Sequence, residues 1–207
     1  MNSSIFISGI HTDIGKTIVS SILCHALDAA YWKPVQAGSL ECTDSDVVRK
    51  YNPDINIFPS RYNLKMACSP HFAAQHEQLN IKLEDLKLPI SDKVLIIEGA
   101  GGLFSPIGSA CTNLDFIEYY KMPFILVVKH YLGSISHTIA CLEAIKNKTI
   151  DLLGIVYVGE DASKSEDFIH EKYNVQKLGR VAVVDNLDME YIAKQAIQFK
   201  KNNDALV

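Results

Sequence analysis

The sequence predicts an α/β domain built on a mainly parallel central sheet with helices on both faces. Three observations predict it. Short apolar runs alternate with longer amphipathic stretches along the 207 residues. Several runs are near-continuous in Ile, Val, Leu and Phe, the composition of strands covered on both faces. The first run passes through a glycine-bounded turn into a helix-like stretch, the strand–turn–helix order of a phosphate-binding loop.

In chain order, the expected strands are Ile5–Ser8, Ala30–Lys33, Lys93–Glu98, Pro123–Val128, Leu152–Val158 and Arg180–Val184. Gly15–Ala29 is expected as a helix with Ile18, Ile22 and Ala26 along one face. Ser134–Asn147 is expected as another. Ser163 with Glu166 resembles a capping box for a helix over 164–172. Asp188 is placed to cap a final helix running towards Lys201. Residues 51–75 hold three prolines and are expected as an irregular excursion rather than a domain boundary. The end, "NNDALV", is expected to fray.

Composition narrows the function. Apolar residues make up 48% and charged residues 21%, ordinary globular values, and the net charge of −4 argues against nucleic acid as the main partner. No stretch approaches the ~18 apolar residues of a membrane span. No basic region precedes the first apolar run, so no signal peptide is expected. The five cysteines are scattered without a C-x-x-C pair. Free, mostly buried thiols in a cytoplasmic compartment are therefore expected, not a zinc site or disulfide frame.

The chemistry lies in three segments. The first is "SGIHTDIGKTIVSS", Ser8–Ser21. The usual phosphate loop has four residues between Gly and Gly-Lys-Ser/Thr, whereas here five separate Gly9 from Gly15. A turn between strand and helix still gathers backbone N–H groups and a helix N-terminus, which attract phosphate. Lys16 adds a full charge, worth roughly 4 kcal/mol at ~4 Å in a partly screened site before desolvation. Thr17 supplies a hydroxyl suited to Mg²⁺. Asp13 beside a triphosphate is repulsive unless it faces metal, a cationic substrate or its own backbone. Together these features predict a P-loop NTPase-like single domain over residues 1–207.

The second segment, "KVLIIEGAGG", ends a strand on Glu98, after which Gly99, Gly101 and Gly102 let the backbone pass close to a ligand. In "TDSDVV", Asp46 or Asp44 could join Thr17 and Glu98 around Mg²⁺; the alternative is a helix cap at Thr43 or Asp44. The third, "YWKPVQAG", puts Lys33 at a strand end, where ligand sites of α/β sheets open.

Taken together, the segments resemble the dethiobiotin synthetase family. Its loop, approximately G-T-D-T-x-V-G-K-T, has the same five-residue interval, and Thr12, Gly15, Lys16 and Thr17 match. K-P-V-x-x-G matches Lys33–Gly38, S-P-H matches Ser69–His71, E-G-A-G-G matches Glu98–Gly102, and L-G-x-I-x-H matches Leu132–His137. The ordered set covers residues 9 to 137.

The resemblance implies closure of a ureido ring from 7,8-diaminopelargonate (7,8-diaminononanoate), CO₂ or bicarbonate, and ATP. It implies catalytic roles for Lys16, Lys33 and Thr12. Nucleotide would lie along Asp13, Ile14, Gly15, Lys16, Thr17 and Ile18, and against Asp46, Glu98, Gly99, Ala100 and Gly101. Thr17, Asp46 and Glu98 would hold Mg²⁺. Substrate would meet Thr12 and Lys33, and its carboxylate tail would meet Gly133, Ser134, Ile135 and Ser136 across a homodimer interface.

Two departures stand out. Ala37 replaces a common hydroxyl residue. Val158 stands where the family closes a strand with an adenine-binding asparagine, so activity with other nucleoside triphosphates is expected within about tenfold of ATP. The rival reading is a P-loop switch ATPase of the partitioning or electron-transfer type. That group usually carries a second lysine five residues before the loop lysine, where this chain has His11.

Overall fold

Apolar runs buried on both faces need helices above and below them, and the chain supplies both. The computed structural model describes residues 4–160 and 162–203. The elements follow as β1 (Ser4–Gly9), α1 (Lys16–Leu27), β2 (Ala30–Trp32), β3 (Val35–Ala37), α2 (Asp44–Tyr51), β4 (Ile57–Phe58), β5 (Tyr62–Leu64) and α3 (Pro70–His76). Then come β6 (Leu95–Glu98), α4 (Asn113–Tyr120), β7 (Phe124–Lys129), α5 (Ser134–Ile145), β8 (Leu152–Val158), α6 (Ser163–Tyr173), β9 (Lys177–Val181) and α7 (Met189–Asn202).

Seven strands form one sheet in the order β4-β2-β6-β1-β7-β8-β9, and every neighbouring pair is parallel. Phe6, Ile7, Ile96, Ile97, Leu126, Val127 and Tyr157 are buried at its centre. Helices α1, α2 and α7 pack together, and α5 packs on α6 and β7. Helix α4 sets Phe116 against Phe6, with ring centroids 5.4 Å apart. The strand order reverses direction between β6 and β7, on either side of β1, so the crevice for a ligand opens at the carboxyl end of β1.

Several expectations need correction. The last strand is Lys177–Val181, not 180–184: Leu178 fills the core, whereas Val183 is exposed. The N-cap expected at Ser163 falls one residue earlier, at Ala162, and the Glu166 carboxylate turns to Lys177, Arg180 and His130. The excursion over 51–75 is partly regular. In it, β4 extends the main sheet beside β2, while β5 pairs with β3 in a second, two-stranded sheet that begins after Pro34. Asp188 caps α7 as expected, accepting from the Tyr191 N–H at 2.8 Å. Asn203 is anchored rather than frayed, donating to the Leu178 and Phe199 carbonyls. Residues 204–207 lie outside the described residues.

Candidate functional site

The loop between β1 and α1 is set by two glycines. A Cβ on Gly9 would come within 2.4 Å of the Ile14 side chain, and Gly15 has φ 92°. Gly15 is the N-cap of α1, so the free N–H groups of the first turn face the loop. Ile14 is buried and packs the loop down, and Ile18 is partly buried on the same turn. Asp13 also takes a left-handed φ of 54°; its carboxylate is exposed, 3.5 Å from the Thr12 hydroxyl.

Lys16 is buried, with its ammonium donating to the His11 carbonyl at 3.3 Å. Burial, then the neighbouring charge of Lys33, pulls its pKa down to about 8, against the pull of Glu98, Asp44 and Asp13.

Opposite the loop, the Thr17 hydroxyl lies 3.0 Å from both Asp44 Oδ1 and Glu98 Oε1. Lys33 Nζ bridges the same carboxylates, at 2.6 Å from Asp44 and 3.0 Å from Glu98. Burial would lower the Lys33 pKa, but Glu98 and Asp44 outweigh it and hold it above the ordinary value. Burial would raise the Asp44 carboxyl, but Lys33 and the Thr17 hydroxyl hold it below the usual range.

The carboxylate that joins Thr17 and Glu98 is therefore Asp44, not Asp46. Thr43 is the N-cap of α2, and Asp46 is its third helical residue. The Asp46 carboxylate folds back onto Thr43, accepting from the backbone N–H at 2.9 Å and the hydroxyl at 2.6 Å. Asp44, in the first turn, faces the cleft. The sequence carried this signal: Thr43 stands three residues before Asp46, the spacing of a capping box.

Glu98 ends β6, and the backbone after it is pinned. A Cβ on Gly99 would meet Asn113 and the Phe6 ring at 2.8 Å. Asn113 donates to the carbonyls of Ala100 and Gly102, fixing the turn that contains Gly101. Gln36 accepts from the Asp44 N–H at 3.3 Å and donates to the Gly38 carbonyl. Neither Asn113 nor Gln36 announces itself in the sequence, because each bonds to turn backbone that only the fold brings against its side chain.

These elements enclose a cleft of about 740 Å³. Thr12, Asp13, Ile14, Gly15, Lys16, Thr17, Ile18, Lys33, Asp44, Glu98, Ala100 and Gly101 line it, along with Ala37, Ser39, Cys42 and Ser69. Gly133, Ser134, Ile135 and Ser136 do not. They form the N-terminus of α5, where Gly133 is the N-cap with φ 101° and both Gly133 and Ser136 are exposed. That terminus nevertheless abuts the phosphate loop, because His137 stacks on His11 with ring centroids 6.4 Å apart.

The donor set suits Mg²⁺: a hydroxyl and two carboxylates converge from three elements, all hard oxygens. Lys33 offsets one of their two negative charges. Of the cysteines, Cys24, Cys111 and Cys141 are buried and Cys42 is exposed. Among the described residues no group of three or more His, Cys, Asp or Glu could hold a metal, and no helix is long and apolar enough to cross a membrane.

A parallel sheet with a phosphate loop after its central strand, facing an acid at the end of the adjacent one, defines a P-loop nucleotide-binding protein. A family model described as an AAA domain matches residues 3–190. The fold is similar to a ParA family ATPase from Chlorobium tepidum (TM-score 0.58, 12% identity, 99% of this chain and 93% of that one). It is also similar to the cell division ATPase MinD of Pyrococcus furiosus (TM-score 0.56, 13% identity, all of both chains). In sequence, the chain is 39% identical over 193 residues to the ATP-dependent dethiobiotin synthetase BioD of Brucella ovis, covering 92% of this chain and 91% of that protein. It is 39% identical over 203 residues to the protein of the same name from Christiangramia forsetii, covering 97% and 98%. The chain belongs to the dethiobiotin synthetase family.

Proposed function

We propose that the chain is a cytoplasmic dethiobiotin synthetase, working as one P-loop domain and as a homodimer. It closes the ureido ring of dethiobiotin from 7,8-diaminopelargonate, CO₂ and ATP. The observation that carries the reading is Lys33. Its ammonium bridges Asp44 and Glu98 beside Thr17, at the point where the phosphate loop opens into the rest of the cleft. A cation there lies between a γ-phosphoryl group held by the loop and a second substrate lodged among Thr12, Ala37 and Ser39. His11, at the position of a switch ATPase's second lysine, speaks against the rival reading.

The chemistry follows from charge. One amine of the diamine adds to CO₂ and loses a proton, giving a carbamate. A carbamate oxygen attacks the γ-phosphorus of ATP, the bond to the bridging oxygen breaks, and ADP leaves with the electron pair. The second amine then attacks the carbamoyl carbon, phosphate departs with its oxygen, and the ring closes with loss of a proton. Without phosphorylation the leaving group would be oxide.

Lys16 and the α1 N-terminus hold the terminal phosphates where charge grows in transfer. Lys33 neutralises the carbamate, and the Thr12 hydroxyl orients it. Thr17, Asp44 and Glu98 would hold Mg²⁺, which when bound neutralises the β- and γ-phosphates. Gly133–Ser136 would receive the substrate carboxylate of the partner subunit at the α5 N-terminus; their place outside this chain's own cleft is consistent with that.

Incubation with the diamine, bicarbonate, Mg²⁺ and ATP should yield dethiobiotin by mass spectrometry. Phosphate release that ignores the diamine would favour the switch ATPase. Ser136→Arg should raise KM for the diamine, and mixing that variant with Lys16→Ala should restore part of the activity. No complementation in mixed dimers would sink the shared site.

A further inference from the structure

We infer that Tyr31 is a positioning residue for Glu98, fixing the carboxylate so that one oxygen faces the metal site. The inference rests on the reading above, in which Glu98 helps hold Mg²⁺. Residues 31 and 33 on β2 and its continuation point to the same side of the sheet, as do residues 96 and 98 on β6. The two strands are parallel, with Tyr31 opposite Ile96. Sheet geometry therefore puts the Tyr31 phenol behind Glu98 and the Lys33 ammonium in front of it.

The contacts divide the carboxylate in two. Glu98 Oε1 accepts from Thr17 and Lys33, both at 3.0 Å, and faces the cleft. Oε2 accepts from the Tyr31 hydroxyl at 2.9 Å. Tyr31 is fully buried and the Glu98 side chain is 1% exposed, so water does not stand in for the phenol. A buried charged oxygen without a donor is costly, so loss of the hydroxyl would let the carboxylate turn towards Lys33 or Thr17 with both oxygens. The position of Oε1 would then no longer be fixed. Lys33 alone does not supply this, because its donor lies on the cleft side.

Tyr31→Phe keeps the ring and removes only the donor. Binding of Mn²⁺ to the ADP complex, read by electron paramagnetic resonance, should weaken about tenfold, the scale of one hydrogen bond to a charged group. The half-saturating Mg²⁺ concentration in turnover should rise with it, while KM for the diamine stays unchanged. Tyr157→Phe, which removes another buried phenol, one paired with His170 at 3.2 Å, should leave Mn²⁺ binding at the wild-type value. In a double-mutant cycle, Tyr31→Phe should add little further loss to Glu98→Gln, since both act through one carboxylate. The thermal midpoint should couple in the same cycle, Tyr31→Phe costing less in the Glu98→Gln background than in the wild type because no charged oxygen is then stranded, which reports on the contact even if Tyr31→Phe alone is too unstable to titrate. Wild-type Mn²⁺ affinity in Tyr31→Phe, or additive losses in the cycle, would overturn the inference. Failure of the underlying reading looks different: Mn²⁺ binding in the wild-type ADP complex would then be indifferent to Glu98→Gln.

Discussion

Glu98 and Glu166 are both carboxylates with side chains 1% exposed, and both are met by cations. They are built to opposite ends. Glu166, on α6, receives Lys177 at 2.7 Å, His130 at 2.7 Å and Arg180. These partners come from β9 and the residue after β7, and Tyr157 of β8 stacks on His130. Each of them keeps part of its side chain in water, so only the Glu166 carboxylate pays full desolvation. Burial would raise the Glu166 carboxyl, but hydrogen bonds from Lys177, Arg180 and His130 hold it down at about 2. The cluster is complete in itself.

The cleft around Glu98 is not complete. Lys33 is matched by Asp44 and Glu98, but among the described residues Lys16 has only the His11 carbonyl within hydrogen-bond distance. It is buried, and its pKa is pulled down rather than up. A buried ammonium in that condition awaits an anion. The contrast separates structural from chemical charge: the first is satisfied by the fold, the second by a ligand.

The largest effect should come from removing the unsatisfied charge. Lys16→Ala should lower kcat by about a thousandfold or more, because it deletes a donor aimed at charge that grows in the transition state. Its thermal stability should equal or exceed wild type, since a buried ammonium without a carboxylate of its own is lost. Turnover near wild type would erase the distinction between the clusters.

Glu166→Gln should do the reverse. Stability should fall by roughly 3 kcal/mol, the cost of losing charge-assisted hydrogen bonds to a buried carboxylate, with turnover kept in the folded fraction. The pH dependence has the same origin. The folded pKa of about 2 lies below the ordinary glutamate value of 4.5, so this stability is complete above pH 4.5 and is lost as pH falls towards 2. Urea unfolding of wild type and variant at pH 7 and pH 3 checks it, the gap narrowing at the lower pH. An equal gap at both would mean the charge is not what Glu166 contributes.

How much of this was legible in sequence depends on how far apart the cooperating residues lie. The parallel sheet, the phosphate loop and the strand-ending Glu98 were readable because each is a local pattern. Asp44 was readable only as an alternative to Asp46, and the choice turned on which one the Thr43 cap consumes. Glu166 misled, because capping-box spacing was present while Lys177 and Arg180, eleven and fourteen residues on, claimed the carboxylate. Tyr31 gave no signal at all, since a tyrosine in a strand reads as core and its partner is sixty-seven residues away.

A smaller effect is expected at the base. Val158 packs against the phosphate loop, close to where a Cβ on Gly15 would lie, and offers no hydrogen bond that distinguishes one base from another. Turnover with GTP, CTP or UTP should lie within about tenfold of ATP, as a site lacking side-chain polar contacts discriminates weakly. A preference for ATP above a hundredfold would require a polar base contact from elsewhere.

The smallest effect is the most direct reading of Lys16. With a pKa of about 8 in the free protein, it is largely protonated at pH 7 and mostly neutral at pH 9. Phosphate binds the ammonium, not the amine, so nucleotide affinity should be flat below pH 7 and fall above it. Between pH 8 and 9 the loss should be roughly fivefold, from the fraction still protonated. Binding at pH 8.5 should also take up protons, visible as a dependence of calorimetric heat on buffer ionisation enthalpy. Both signals should vanish in Lys16→Arg, whose guanidinium stays charged across this range. A flat affinity to pH 9.5 in the wild type would mean that the lysine already has its counter-charge, and that the cleft, like the Glu166 cluster, is complete without a ligand.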